Sequence, residues 1–309
     1  MGLRETVEGY RQRITDAAVS PFDHAEFPLS RTLTYHGDPG LFGPDSMTWR
    51  VVGDSAAFVG GVRALLIQAA HPEVVAGVSD HSNYREDPLG RLSRTSSYVT
   101  ATSYGAMPEV ETAIGAVRQA HRPVRGTSHR GQAYSAGHPG MAAWVHNVLV
   151  DSFLVAYQFY GPAPLTRAEA DQYVSEQTRL GALLGADPLP ATADGIHDWV
   201  TNHPDLDDSP GMRETVRFLR NPNQLKPTIR AGYWALLDAS VATVPANLRD
   251  LLGIYSMPGN TFRGRQAVRT LRWALGASPS WNLALLRTDQ PIPEGLFHDR
   301  LTPDTLNPV

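Results

Sequence analysis

The chain has 309 residues, of which 42% are hydrophobic, and a formal net charge of −4. That length and apolar share can build a sizeable core, as one large domain or two small ones, and the acidic balance excludes a general nucleic-acid binder, which needs a basic field against phosphates. There is no cysteine, which excludes disulfides, thiolate nucleophiles, iron–sulfur clusters and any thiolate-held metal.

In chain order, residues 1–50 are rich in Pro, Gly and aromatics, and read as an arm over the core with a short opening helix. The opening "MGLRETVEGYRQRITDAAVS" has no apolar signal core, so the cytoplasm is the expected compartment. From Asp54 as N-cap, "SAAFVGGVRALLIQAA" reads as a helix that stops at His71-Pro72, because a residue before proline is pushed out of the α region. Arg63 within it is expected to be a solvated charge. "EVVAGVSDHS" is expected to form one or two short turns. "PLGRLSRTSSYVTATSYG" reads as a helix with Pro88 in its first turn and Gly105 at its end.

"PEVETAIGAVRQAHRPV" starts a helix at Pro108, with Glu109 and Glu111 in its first turn, and ends it around His121. Residues 126–140 read as a loop. The apolar stretch from Met141 to Phe159 contains His146, Asn147, Asp151 and Gln158, too polar for a membrane span and suited to a central buried helix. Thr166 with Glu169 is a capping box for the helix that follows, and Gly185 is its stop. Helical stretches alternate with Pro-rich connections to the end, and no sustained period-two pattern appears. The expected fold is therefore all-α, one domain: an arm over 1–50, a helical core over 51–260 and a C-terminal extension over 261–309.

Four stretches could carry chemistry. Val110, Ile114, Val117 and His121 share a helical stripe, so His121 is expected to face inward from the last turn. There it could ligate iron, although spacing alone favours a core histidine satisfied by the helix C-terminal carbonyls. His146 lies on a helix apolar nearly all round, where Asn147 and Asp151 are the nearest partners; a buried structural histidine and a pocket residue are both compatible with that position. Arg91, Thr95, Tyr98 and Thr102 form a polar stripe flanked by Arg94, which suits a pocket wall that holds carboxylates, or else a solvated face. Of 27 basic residues only Lys226 is a lysine, a bias toward guanidinium that genome composition also produces. "HPE" at residues 71–73, with a distant histidine, could supply the two-His-one-carboxylate set of a non-haem iron site. No E-x-x-H, G-x-S-x-G, P-loop or G-x-G-x-x-G occurs.

"HPEVVAGVSDHSNYREDPLGRLSRTSSY", "AVRQAHRPVRG", "YSAGHPGMAAWVHNVLVDSFL" and "DQYVSEQTRLGALLG" together resemble the rubber oxygenase catalytic-domain family, over residues 45 to 260. That family includes latex-clearing proteins, the fungal oxygenase of mycophenolate biosynthesis and many actinobacterial proteins. The resemblance implies an all-α, globin-like core around haem b, with His121 as the axial ligand to iron. It places Arg91 and Thr95 in the family's R-x-x-x-T motif beside the haem, and His146 in a "WVH" segment. Latex-clearing proteins carry lysine just before that threonine, where this chain has Arg94. The expected activity is a haem-dependent oxygenase acting with O₂ on a small hydrophobic molecule. Arg94, Thr95 and His146 are its expected catalytic residues; His121, Arg91, Thr95, Tyr98 and His146 are expected to bind the cofactor. The alternatives are a non-haem iron oxygenase using His71 and Glu73, and a binding protein of the same fold without turnover.

Overall fold

The computed structural model describes residues 3–292 apart from 23, 25, 224 and 277. Of the expected C-terminal extension, residues 293–309 lie outside the described residues. The fold is all-α and single-domain. Its fourteen helices among the described residues are α1 (Leu3–Val19), α2 (Met47–Gly53), α3 (Ala56–Gln68), α4 (Pro72–His81), α5 (Pro88–Tyr104), α6 (Met107–His121), α7 (Pro139–Tyr160), α8 (Arg167–Leu183), α9 (Ala193–Thr201), α10 (Pro210–Arg220), α11 (Pro227–Thr243), α12 (Ala246–Leu252), α13 (Asn260–Leu275) and α14 (Pro279–Arg287).

Local chemistry explains the boundaries. Asp87 caps α5 by accepting from the Gly90 amide at 2.9 Å, and Pro88 occupies the first helical position, where its missing N–H costs nothing. Thr166 and Glu169 close the expected capping box on α8, and Gly185 follows its end in the left-handed region, at φ 75°. Glu176 of α8 reaches across to cap α2, accepting from the amides of Met47 and Thr48 and from the Thr48 hydroxyl.

The middle of the molecule is α7, whose Trp144, Val148, Ser152 and Ala156 are all fully buried. It lies against α3 at Gly60, where an added Cβ would fall 2.4 Å from the Phe153 ring and 3.0 Å from the Phe153 Cα. Only glycine permits that approach. No single described helix is long and apolar enough to cross a membrane.

Four expectations are corrected. Residues 47–53, placed mostly in the arm, form α2, capped by Ser46. "EVVAGVSDHS" is not a pair of turns but most of the ten-residue α4: Pro72, read as a stop for the preceding helix, is also the first residue of the next. The loop over 126–140 contains a two-stranded antiparallel hairpin, β1 (Arg125–Thr127) and β2 (Ala133–Ser135), pinned to α4 by the Tyr134 hydroxyl donating to Asp80 at 2.5 Å. Finally, Arg63 is not solvated. It is fully buried and donates to Asp151 at 2.7 Å, to Ser152 at 2.8 Å and to the Thr243 carbonyl at 3.3 Å. A guanidinium in a core survives only with such a set of acceptors.

Candidate functional site

The polar stripe of α5 runs from the surface inward. Thr95 is exposed, and its hydroxyl donates back to the Arg91 carbonyl at 3.0 Å. At the inner end Thr102 is buried and donates to the Tyr98 carbonyl at 2.9 Å. Between them, the Tyr98 hydroxyl is buried without a hydrogen-bond partner, and burial raises its pKa. Orphaned donors of this kind are uncommon in native proteins and mark places where something else completes the set.

Arg91 is partly buried, with its guanidinium 5.7 Å above the Tyr84 ring. Among the described residues no carboxylate lies within ion-pair distance of it, and desolvation lowers its pKa. Arg94 behaves differently. It is exposed and donates to Asp87 at 3.2 Å, at the solvent-facing start of α5. Two arginines less than one helical turn apart thus have opposite fates, one answered by a carboxylate and one unanswered.

His146 of α7 and the inner part of this stripe meet at one small cavity, lined among others by Tyr98, Thr102, His146, Leu149, Phe153 and Gln177. His146 Nε2 lies 3.0 Å from the Gln177 carbonyl. A carbonyl only accepts, so Nε2 carries the proton and is committed. Burial pushes the His146 pKa down to about 4, which keeps the ring neutral. The neighbours that sequence proximity suggested are employed elsewhere. Asn147 donates to the Pro188 carbonyl, and Asp151 pairs with Arg63 and with His197 at 2.9 Å.

His121 departs from its expected orientation. Val110 and Ile114 are buried, Val117 is half-buried, and His121 at the end of α6 is exposed. The stripe winds outward as α6 leaves the body of the protein. Surrounding protein still lowers the His121 pKa by desolvation, as for a ring that water reaches but protein flanks. No side-chain hydrogen bond engages it among the described residues, so both nitrogens are available.

A second cluster lies elsewhere. His71, the N-terminal flank of α4, comes together with His203 and Asp205 from the connection between α9 and α10, their ligand atoms within 4.8 Å of one another. Glu73, the carboxylate expected for a non-haem iron set, is taken instead by Ser128 at 2.7 Å and by Arg130 at 2.9 and 2.6 Å. Its proton is therefore lost easily, with a pKa of about 2, although burial alone would raise it. The sequence held a signal for the missed pair: "HPD" at 203–205 repeats the His-Pro-acid pattern of "HPE" at 71–73.

The described residues thus offer a polar stripe on α5, an arginine without a carboxylate partner and a buried neutral imidazole at His146. The family described as "ER-bound oxygenase mpaB/B'/Rubber oxygenase, catalytic domain" matches residues 49–273, from α2 to α13, and this chain belongs to it. No curated protein and no solved structure matches the chain.

Proposed function

We propose that the protein is a haem b-dependent oxygenase, with the iron held by His121, a haem carboxylate held by Arg91, and a small hydrophobic molecule and O₂ as substrates. The family is one of oxygenase catalytic domains, and the resemblance drawn from the sequence implies haem. The donor types present, an uncommitted imidazole and a guanidinium without a carboxylate partner among the described residues, suit the iron and the carboxylates of that group. The observation that carries the reading is Arg91, a partly buried cation with no carboxylate partner among the described residues, on the same helical face as the orphaned Tyr98 hydroxyl. A desolvated guanidinium needs an anion, and the propionates of haem supply two. His121 offers an uncommitted neutral imidazole, whereas His146 has its Nε2 occupied by Gln177. That difference favours His121 as the axial ligand and gives His146 the role of a neutral wall residue.

Bound there, the haem would supply the oxygen chemistry, for which the amino-acid side chains have no equivalent. The chain's own contributions are then positional. Arg91 fixes one edge of the group, Thr95 is the next residue along the same face, and Tyr98 offers its buried O–H as a donor. His146, Leu149 and Phe153 line a small cavity together with Tyr98, Thr102 and Gln177. Arg94, tied to Asp87 at the rim, would meet whatever enters rather than the reacting atoms.

The test is the absorption spectrum of the purified protein, where a Soret band is expected. His121→Ala should lose it or shift it to a non-native form while the protein stays folded. Arg91→Ala should retain less haem than Arg167→Ala, which removes a cation paired with Asp194 in solvent. An iron-free, colourless wild type, or equal haem retention in the two arginine variants, would refute the assignment.

A further inference from the structure

We infer that His71, His203 and Asp205 form a binding site for a first-row divalent metal ion of the zinc class, separate from the oxygenase site and independent of whether that site holds haem. The ligand atoms converge from two segments distant in sequence. His71 Nε2 lies 3.9 Å from Asp205 Oδ2, and His203 Nδ1 lies 4.0 Å from the same oxygen; His203 Nδ1 accepts from the Asp205 amide at 3.3 Å, a bond that the ion would replace. Tetrahedral zinc with bonds of about 2.0–2.2 Å sets its donors about 3.4 Å apart. The two distances to Asp205 therefore have to close by roughly half an ångström, which its exposed carboxylate can supply, and the imidazoles, within 4.8 Å of one another, have to close by up to about 1.4 Å by turning their rings.

The independent sign is His71 itself. Its side chain is 6% exposed, yet among the described residues it makes no hydrogen bond at either nitrogen, and Nδ1 is a buried polar atom without a hydrogen-bond partner. Native interiors rarely leave an imidazole in that state. Glu73 Oε2 lies 3.4 Å from Nδ1, on the opposite side of the ring from Asp205. A small ring rotation completes a carboxylate–histidine–metal relay, in which the carboxylate holds the Nδ1 proton and leaves the Nε2 lone pair for the ion.

The surroundings are built to hold that arrangement. Ser128 and Arg130, from the loop joining β1 to β2, fix Glu73, and Arg130 also donates to the Asp205 carbonyl at 3.4 Å. Trp199 and Trp144 lie with ring centroids 4.6 and 5.0 Å from His203 and wall the histidines from solvent. Two neutral imidazoles and one carboxylate suit zinc, cobalt or iron(II) and discriminate against calcium and magnesium, which demand oxygen donors. Three protein ligands leave a position for water. The ion would clasp the α9–α10 connection to the start of α4, beneath the hairpin.

The test uses the full chain, stripped with chelator and dialysed against zinc, with metal content read by elemental analysis and Tm followed as zinc is added. About one zinc per chain and a Tm that rises with zinc are expected. Asp205→Asn, an exposed change that leaves the core intact, and His203→Gln should each abolish the Tm response. Glu73→Gln should weaken zinc binding by ~10–100-fold. His36→Gln should change nothing, and His121→Gln should keep the zinc while losing the haem, so that the two assignments fail separately. Failure to take up zinc, or uptake undiminished in both Asp205→Asn and His203→Gln, would overturn the site.

Discussion

At the scale of single residues, His146 shows what burial does to a titratable group. Its pKa falls from 6.5 to about 4 because the charged form loses water and gains only a carbonyl. The unfolded chain therefore binds a proton between pH 6.5 and 4 that the folded chain does not. Stability from this group is fully present above pH 6.5 and is lost as the pH falls toward 4, by up to about 1.4 kcal/mol per unit. Urea midpoints measured at pH 7 and pH 5 should fall further in the wild type than in His146→Gln. Parallel pH dependence in the two proteins would mean that the ring is not the titrating group. The stripe Arg91–Tyr98 was legible as a polar face because helical spacing is a local property. Which of Arg91 and Arg94 lacks a partner was not, because that depends on where the Asp87 carboxylate turns.

At the scale of elements, the close contact of α3 and α7 rests on a missing side chain. Gly60→Ala gains about 1 kcal/mol in helix propensity, but its methyl meets the Phe153 ring, the Phe153 Cα and the Ser152 carbonyl within 3.1 Å. Backbone atoms cannot swing aside, so the two helices must separate, at a cost of about 1–3 kcal/mol. Gly61→Ala is the control, since nothing lies within 4 Å of the added methyl there. Chemical denaturation should show Gly60→Ala less stable than wild type and Gly61→Ala as stable or more so. The reverse order would mean that α3 and α7 are not so closely packed. Elements bounded by their own punctuation, such as α5 between Pro88 and Gly105, were readable from the sequence. Those completed by distant partners were not: beyond its local Ser46 cap, α2 relies on Glu176 to accept from its first two amides, and the hairpin depends on Asp80 for its anchor.

At the scale of the whole molecule, the family match covers residues 49–273, and among the described residues outside it the segment around 32–38 and α14 are joined through one buried arginine. Arg287, near the end of α14, is 1% exposed. It donates to the Asp38 carbonyl at 2.7 Å and to the Thr32 hydroxyl, while Glu109 lies 3.9 Å away and the Gly37 amide donates to the Arg287 carbonyl at 2.8 Å. Asp38 in turn accepts from the Met107 amide at 2.9 Å. The N-terminal arm, the last described helix and the start of α6 thus share one guanidinium. An arm lying over the core was expected from composition; its fastening was not, because the partners are separated by most of the chain and no short-range pattern records them. Removing the cation strands the acceptors around it, a loss of about 1–3 kcal/mol for each buried group left unpaired. Arg287→Ala should therefore lower the denaturation midpoint and expose the segment around residues 30–45 to limited proteolysis. Arg287→Lys should recover only part of the loss, because an ammonium cannot address the carbonyl and hydroxyl with the geometry of a planar fork. Cleavage confined to the helical core, or full rescue by lysine, would show that the arm is held by its apolar contacts through Leu29, Leu283 and Leu285 and not by this arginine.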